Sequence, residues 1–156
     1  MTGAVRRGIG RALPLLCATC MLAPLAHAAD PPVAVELERI DAEFDAARER
    51  CNNLAVQTRN VCLAEARAER RIRKVELAAH SQGTTKARYD ARVARAEAEF
   101  EVAKERCGVH AGAERETCVA DARTREARAK DEARAARREA EGRDATVTER
   151  AADRAK

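Results

Sequence analysis

EFDAARERCNNLAVQTRNVCLAEAR occupies residues 43–67, and EFEVAKERCGVHAGAERETCVADAR occupies residues 99–123. The second stretch begins 56 residues after the first, and 13 of the 26 aligned positions from 42 to 67 are identical. An internal copy of this length makes the repeat unit the folding unit. Apolar residues in the first copy fall at Val33, Leu37, Ile40, Phe44, Ala47 and Cys51, in steps of 4, 3, 4, 3 and 4. The second copy places Tyr89, Val93, Ala96, Phe100, Ala103 and Cys107 at the same steps, and an offset of 56 is eight heptads. A heptad seam of this kind is the mark of a helix packed against a helix.

Working outward, each unit reads as helix, loop, helix. Asp30 is placed to cap the first helix, with Pro31 in its first turn, where a missing N–H does no harm. The helix is expected to run to Cys51. Asn52 follows, and its counterpart is Gly108. Asn and Gly most readily adopt the left-handed conformation that closes a helix, so both positions predict a stop. The loops are expected over about residues 52–58 and 108–112. The return helix carries Val61, Ala68, Ile72, Val75 and Ala79 on one side. HSQGTT, residues 80–85, breaks it, with Gly83 as terminator and Thr84 or Thr85 as the next cap. The last helix is expected from about Glu114 to Glu141, ended by Gly142, with a poorer inner face, because Arg128 and Asp131 stand where the first unit has Ile72 and Val75. Thr146 and Glu149 have capping-box spacing, so the tail is expected to form at most one more turn.

Two cysteines 11 residues apart in one continuous helix would lie about 16 Å apart, beyond the roughly 7 Å a disulfide allows between Cα atoms. A chain reversal between them removes the obstacle. Cys51–Cys62 and Cys107–Cys118 are therefore expected to clamp the loop ends of two helical hairpins. Four cysteines allow three pairings, and the local one follows from the repeat itself. Each bond closes a loop whose constraint is worth about 3 kcal/mol by the chain-entropy argument, a useful supplement to a thin core. Such bonds persist in an oxidising compartment.

The N-terminus predicts that compartment. Residues 1–11 carry Arg6, Arg7 and Arg11 and no acid, and residues 12–25 form an apolar run of 14. Ala26-His27-Ala28 then offers small residues where a signal peptidase reads, so residues 1–28 are expected to be a signal peptide cleaved after Ala28. The run is shorter than the roughly 20 residues of a membrane span. The Arg6-Arg7 pair leaves Sec and twin-arginine export both open. Cys17 and Cys20 form a C-x-x-C inside this segment and are discarded with it. The full chain has net charge +4, from 30 basic and 26 acidic residues. Three of those basic residues and none of the acidic ones precede Ala29, so the remainder carries +1. That balance gives no basic excess for nucleic acid.

From residue 29 onward about one domain's worth of chain remains. The only aromatic residues are Phe44, Tyr89 and Phe100, and charged residues make up 36% of the chain. No run alternates in the manner of a strand rich in Val, Ile and Thr. The fold class expected is all-α: two tandem antiparallel hairpins with four main helices. Their bounds are residues 29–80 and 86–142, joined by a connector at 81–85 and followed by a flexible or weakly helical tail at 143–156.

The cysteines have a competing reading as zinc ligands, with His110 as a fifth donor. The close C-x2-4-C pairs of zinc sites are absent, and exported thiols oxidise. No metal or other cofactor is expected. His80 and His110 read as polar residues at helix ends or loops. No nucleophile elbow, H-E-x-x-H or glycine-rich phosphate loop is present, so no catalytic residue is assigned and the protein is not expected to be an enzyme. Acids interleave with arginine at i, i+3 and i+4, as in ARAEAEFEVAKER, the pattern of a solvated, ion-paired face.

AARERCNNLA…RNVCLAEARA and VAKERCGVHAGAERETCVADARTREARAKDEARA resemble a group of small exported proteobacterial proteins. Their members carry a repeated E-R/K-C-(x10)-C-x-A-E/D-A-R/K pattern followed by alanine-rich charged helix, and some are labelled TolA-like for that composition. The resemblance covers roughly residues 36–138. It implies an exported helical-hairpin protein and no established activity.

The function expected is that of a non-enzymatic periplasmic or secreted structural or interaction protein of the cell envelope. Its partner is an unknown protein or a second copy, and it has no membrane span once the signal is removed. The alternatives are a holdase-type chaperone helper, which needs exposed apolar surface, and a redox or metal-handling protein using the cysteine pairs. Thiol lability separates the last from the first, since stable disulfides are structural and readily reduced ones reactive.

Overall fold

A computed structural model describes residues 32–155. They form four α-helices in chain order: α1, Val33–Asn52; α2, Val56–Gln82; α3, Thr85–Arg106; and α4, Gly112–Arg154. A single 3-10 turn at Cys107–Val109 follows α3. No strand occurs among the described residues, so the all-α hairpin architecture is the one observed. The expected Asp30 cap and Pro31 turn, the signal peptide and the Cys17/Cys20 pair lie outside the described residues.

Helix ends follow local chemistry. Gly83 sits at φ 63°, the left-handed conformation, and its N–H donates to the Ala79 carbonyl, closing α2. Thr84 then caps α3, its hydroxyl accepting from the Ala87 N–H at 3.0 Å. The left-handed stops expected at Asn52 and Gly108 are not used. Asn52 is the last residue of α1, and Asn53 follows at φ −85°. Leu54 N–H donates to the Cys51 carbonyl at 3.1 Å, and His110 N–H donates to the Cys107 carbonyl at the same distance. Each hairpin thus closes its first helix with an i→i+3 bond, and a positive φ enters only in the second, at Gly112, φ 53°, where α4 begins. A Cβ at Gly108 would come within 2.9 Å of Gln57 Nε2, the far end of a flexible side chain that can turn aside. The loop end of one hairpin therefore lies against that of the other.

The expected stop at Gly142 is also absent. α4 runs through it to Arg154. A glycine costs a helix interior about 1 kcal/mol but does not break it. The i, i+4 ion pair Arg137–Glu141 braces the turn before Gly142, and Arg143–Glu139 spans the glycine. Thr146 does not cap a new helix either; its hydroxyl donates to the Arg143 carbonyl within α4.

The helices pack in sequence: α1 on α2, α2 on α3, α3 on α4. No extensive interface closes α1 onto α4, so the four antiparallel helices form an open row and not a closed bundle. The core is thin, as an alanine-rich composition dictates. Ile40, Cys51 and Cys107 are its largest fully buried side chains. Of the expected seam, Leu37, Phe44, Tyr89, Val93 and Phe100 are half-buried, while Val33 is 42% exposed and does not join it. Val33 is the first residue of α1, at the end away from the loop, where the seam has no further turn to pack against.

α3 holds a second seam that the heptad count misses. Ala87, Ala91, Ala94, Ala98 and Val102 are buried beside the Tyr89-to-Cys107 series. Ala87 and Ala91 cluster with Ala79 and Val75 of α2, so this seam joins the two hairpins. Alanine allows close helix approach, and α2–α3 is the broadest interface of the row.

Candidate functional site

The two disulfides are formed as expected. Cys51–Cys62 and Cys107–Cys118 have Cα separations of 5.6 and 5.7 Å, each across 11 residues. Cys51 and Cys107 are almost fully buried, and Cys62 and Cys118 half-buried. Each bond is made because the chain reverses directly after its first cysteine. Both clamps lie at the same end of the row, and Gly83 turns the chain at the other.

Between the clamps and Gly83 the helices are laced by charge. Asp41 of α1 accepts from Arg70 and Lys74 of α2, with ion-pair distances of 2.7 Å to each. Arg73 of α2 reaches both Glu36, at 3.1 Å, and Glu43. Arg39 holds the same two glutamates from within α1, at 2.5 and 2.7 Å. Arg70 also lies 4.9 Å over the Phe44 ring, and Arg48 lies 5.6 Å over it. Phe44 thus has a cationic cover from both α1 and α2.

α3 is joined to α2 by Arg71–Glu97, Arg95–Glu76 and Arg106–Glu65 pairs. Glu97 turns a second oxygen to Lys130 of α4 at 3.0 Å, so one carboxylate ties three helices. That is the sole ion pair between α3 and α4 among the described residues. The remaining links there are Arg137 over Tyr89 at 5.2 Å and a Thr85 hydroxyl to Asp144 at 3.3 Å.

These contacts deepen ionisation. Hydrogen bonds from Arg39 hold Glu36 below its ordinary pKa, and those from Arg73 do the same for Glu43. Lys74 and then Arg70 lower Asp41; Lys130 and then Arg71 lower Glu97. Lys130 is raised in turn by Glu126 and Glu97. The resolved shifts all favour the charged form, the behaviour of structural pairs. An acid–base catalyst needs the opposite, a pKa drawn toward the working pH.

A shallow groove between α3 and α4 concentrates positive charge. It is lined by Arg88, Arg92, Arg137 and Arg143 around Tyr89. Three of the four are already engaged: Arg88 donates to the Gly83 carbonyl, Arg137 pairs with Glu141, and Arg143 pairs with Glu139. His110 lies 3.6 Å from Glu114 at the clamped end, and His80 is exposed on the last turn of α2. Among the described residues no group of three or more His, Cys, Asp or Glu side chains is arranged to hold a metal ion. No described helix is long and apolar enough to cross a membrane.

The chain matches no known protein family, and no curated protein or solved structure shows significant similarity to it.

Proposed function

We propose that this is an exported, non-enzymatic protein of the cell envelope, built from two copies of one hairpin unit, that works by presenting charged helix faces to a protein partner. The observation that carries the reading is the pair of disulfides at equivalent hairpin ends. Two such bonds in so small a core support an oxidising compartment. The residue 1–28 pattern of three arginines, apolar run and Ala-His-Ala supports export by the same route. Cys51 and Cys107 are buried, which suits structural bonds better than exchange-active ones. The exposed large apolar residues are mostly isolated valines, among them Val35, Val56, Val109 and Val147, which supports a holdase role poorly.

The test is non-reducing peptide mapping of the protein from a periplasmic fraction. The expected result is an N-terminus at Ala29 with Cys51–Cys62 and Cys107–Cys118 intact. Free thiols, bound metal, or recovery of the full chain from the cytosol would overturn the reading.

A further inference from the structure

The open row leaves two edges, the outer face of α1 and the outer face of α4. By the offset of 56, α1 corresponds to α3 and α4 to α2. The outer face of α1 is thus the counterpart of the α3 face that meets α2, and the outer face of α4 is the counterpart of the α2 face that meets α3. The interface joining the two hairpins is written a second time on the two free edges, half on each.

Its small residues are kept at four positions, while Ala91 of α3 becomes Val35 on α1. Ala98 and Val102 of α3 correspond to Ala42 and Ala46 of α1, and Ala64 and Ala79 of α2 to Ala120 and Ala135 of α4; the four edge residues are exposed. Its charges are kept with their signs. Arg106–Glu65, at 2.6 Å, corresponds to Arg50 and Asp121. Arg95–Glu76 corresponds to Arg39 and Glu132. Arg67 shares a groove with Glu101 and Glu105, and their counterparts are Arg123, Asp45 and Glu49. Among the described residues, Glu49, Arg50, Asp121, Arg123 and Glu132 make no ion pair within the chain. Other positions are changed. Arg71–Glu97 becomes Ala127 and Asp41, Ile72 becomes Arg128, Val75 becomes Asp131, and Ala94 of the α3 seam becomes Glu38. These changes make the outer contact weaker than the inner one.

We propose that the occupant of these edges is a second copy of this chain: α4 of one copy packs on α1 of the next in the manner of α2 on α3, giving open, head-to-tail assembly. The two edges differ, so the contact is heterologous and does not stop at two copies. The inference gives the interaction reading above a definite partner.

Two variants test it with the purified, oxidised chain. Asp121→Lys with Arg123→Glu reverses the α4 edge, and Glu49→Lys with Arg50→Glu reverses the α1 edge. Both keep the net charge and touch no ion pair within the described chain. Sedimentation velocity at low salt should show the parent associating beyond the dimer as concentration rises. Each variant alone should associate about tenfold or more weakly, since two pairs become like-charge contacts worth a few-fold each. An equimolar mixture should recover the parent's association, because each reversed edge then meets its reversed complement. Circular dichroism of each variant should match the parent, showing that the fold is kept.

A parent that stays monomeric at about 1 mM, where a contact of even millimolar affinity would be visible, overturns the proposal. So does association that stops at a dimer, or a mixture no better than its components. A monomeric result would leave export and disulfide pairing standing. Conversely, a cytosolic chain with free thiols would leave an observed assembly of the oxidised protein standing.

Discussion

Replacing both members of the second clamp, Cys107→Ala with Cys118→Ala, should release α4 from the row. The bond spans 11 residues, and closing a loop of that size constrains the opened state by about 3 kcal/mol. What remains to hold α4 has no large buried side chain: its buried residues are Ala122 and Ala133, and its polar links to α3 are the Lys130–Glu97 pair, Arg137 over Tyr89 and Thr85 to Asp144. Local opening governs amide exchange, and 3 kcal/mol is about two decades in an opening constant. Exchange protection over residues 112–126 should therefore fall about 100-fold, while α2 and the α2-facing side of α3 keep theirs. The matched variant, Cys51→Ala with Cys62→Ala, loses the same constraint from α1. That helix still has buried Ile40 and the Asp41, Glu36 and Glu43 pairs to α2, so it should remain docked. Hydrogen exchange read by mass spectrometry resolves both helices. If α4 kept its protection within about threefold, or α1 loosened as much as α4, the account of α4 as the weakly held edge would be refuted.

Other outcomes follow from the same contacts. Ile40→Ala should cost about 3 kcal/mol in urea unfolding with an unchanged m-value, because Ile40 is 1% exposed and is the largest fully buried side chain of α1; a loss under about 1 kcal/mol would show that α1 does not dock through it. Glu36, Asp41, Glu43 and Glu97 are held below their ordinary pKa values of 4.5, 3.8, 4.5 and 4.5, so the unfolded chain binds more protons than the fold as acid is added. Their contribution is complete above those ordinary values and is lost as pH falls through the lowered ones, so the melting temperature should be flat near neutrality and drop below about pH 4. A melting temperature unchanged down to about pH 2 would remove these pairs from the account. Gly142→Ala should raise the helicity of α4, since Gly142 is helical with nothing within 4 Å of the added Cβ, whereas Gly83→Ala at φ 63° should lower stability by about 1 kcal/mol; equal effects of one sign, seen by circular dichroism melts, would contradict both assignments.

The four helices, their hairpin pairing and the disulfides were legible in the sequence because each rests on a strong local signal. Repeated cysteines, a heptad of large apolar residues and the Gly83-Thr84 stop-and-start pair all act within a few residues. The second seam of α3 was not legible. Ala87, Ala91, Ala94 and Ala98 are as common on solvated helix faces as in close-packed ones, and only a neighbouring helix decides which they are. Gly142 misled for a related reason: a glycine ends a helix only where the chain gains by turning, and ion pairs before it and across it favour continuation. The lacing charges were visible as a composition but not as partners. Arg70 reaches Asp41 across 29 residues of chain, a pairing fixed by the rotation of α1 against α2.

Because every broad interface joins helices adjacent in the chain, the fold is nearly one-dimensional in its energetics. Its free energy is close to a sum of four helix terms and three interface terms, with little that couples α1 to α4. Contacts of this kind have low sequence separation, so each hairpin closes a short loop and the row forms quickly once a turn has nucleated. Tension applied at the two ends would act on the outermost helices first and peel the row inward one interface at a time. The clamps would limit how far each peeled hairpin pays out, since the residues between Cys51 and Cys62, and between Cys107 and Cys118, cannot be extended while the bonds hold.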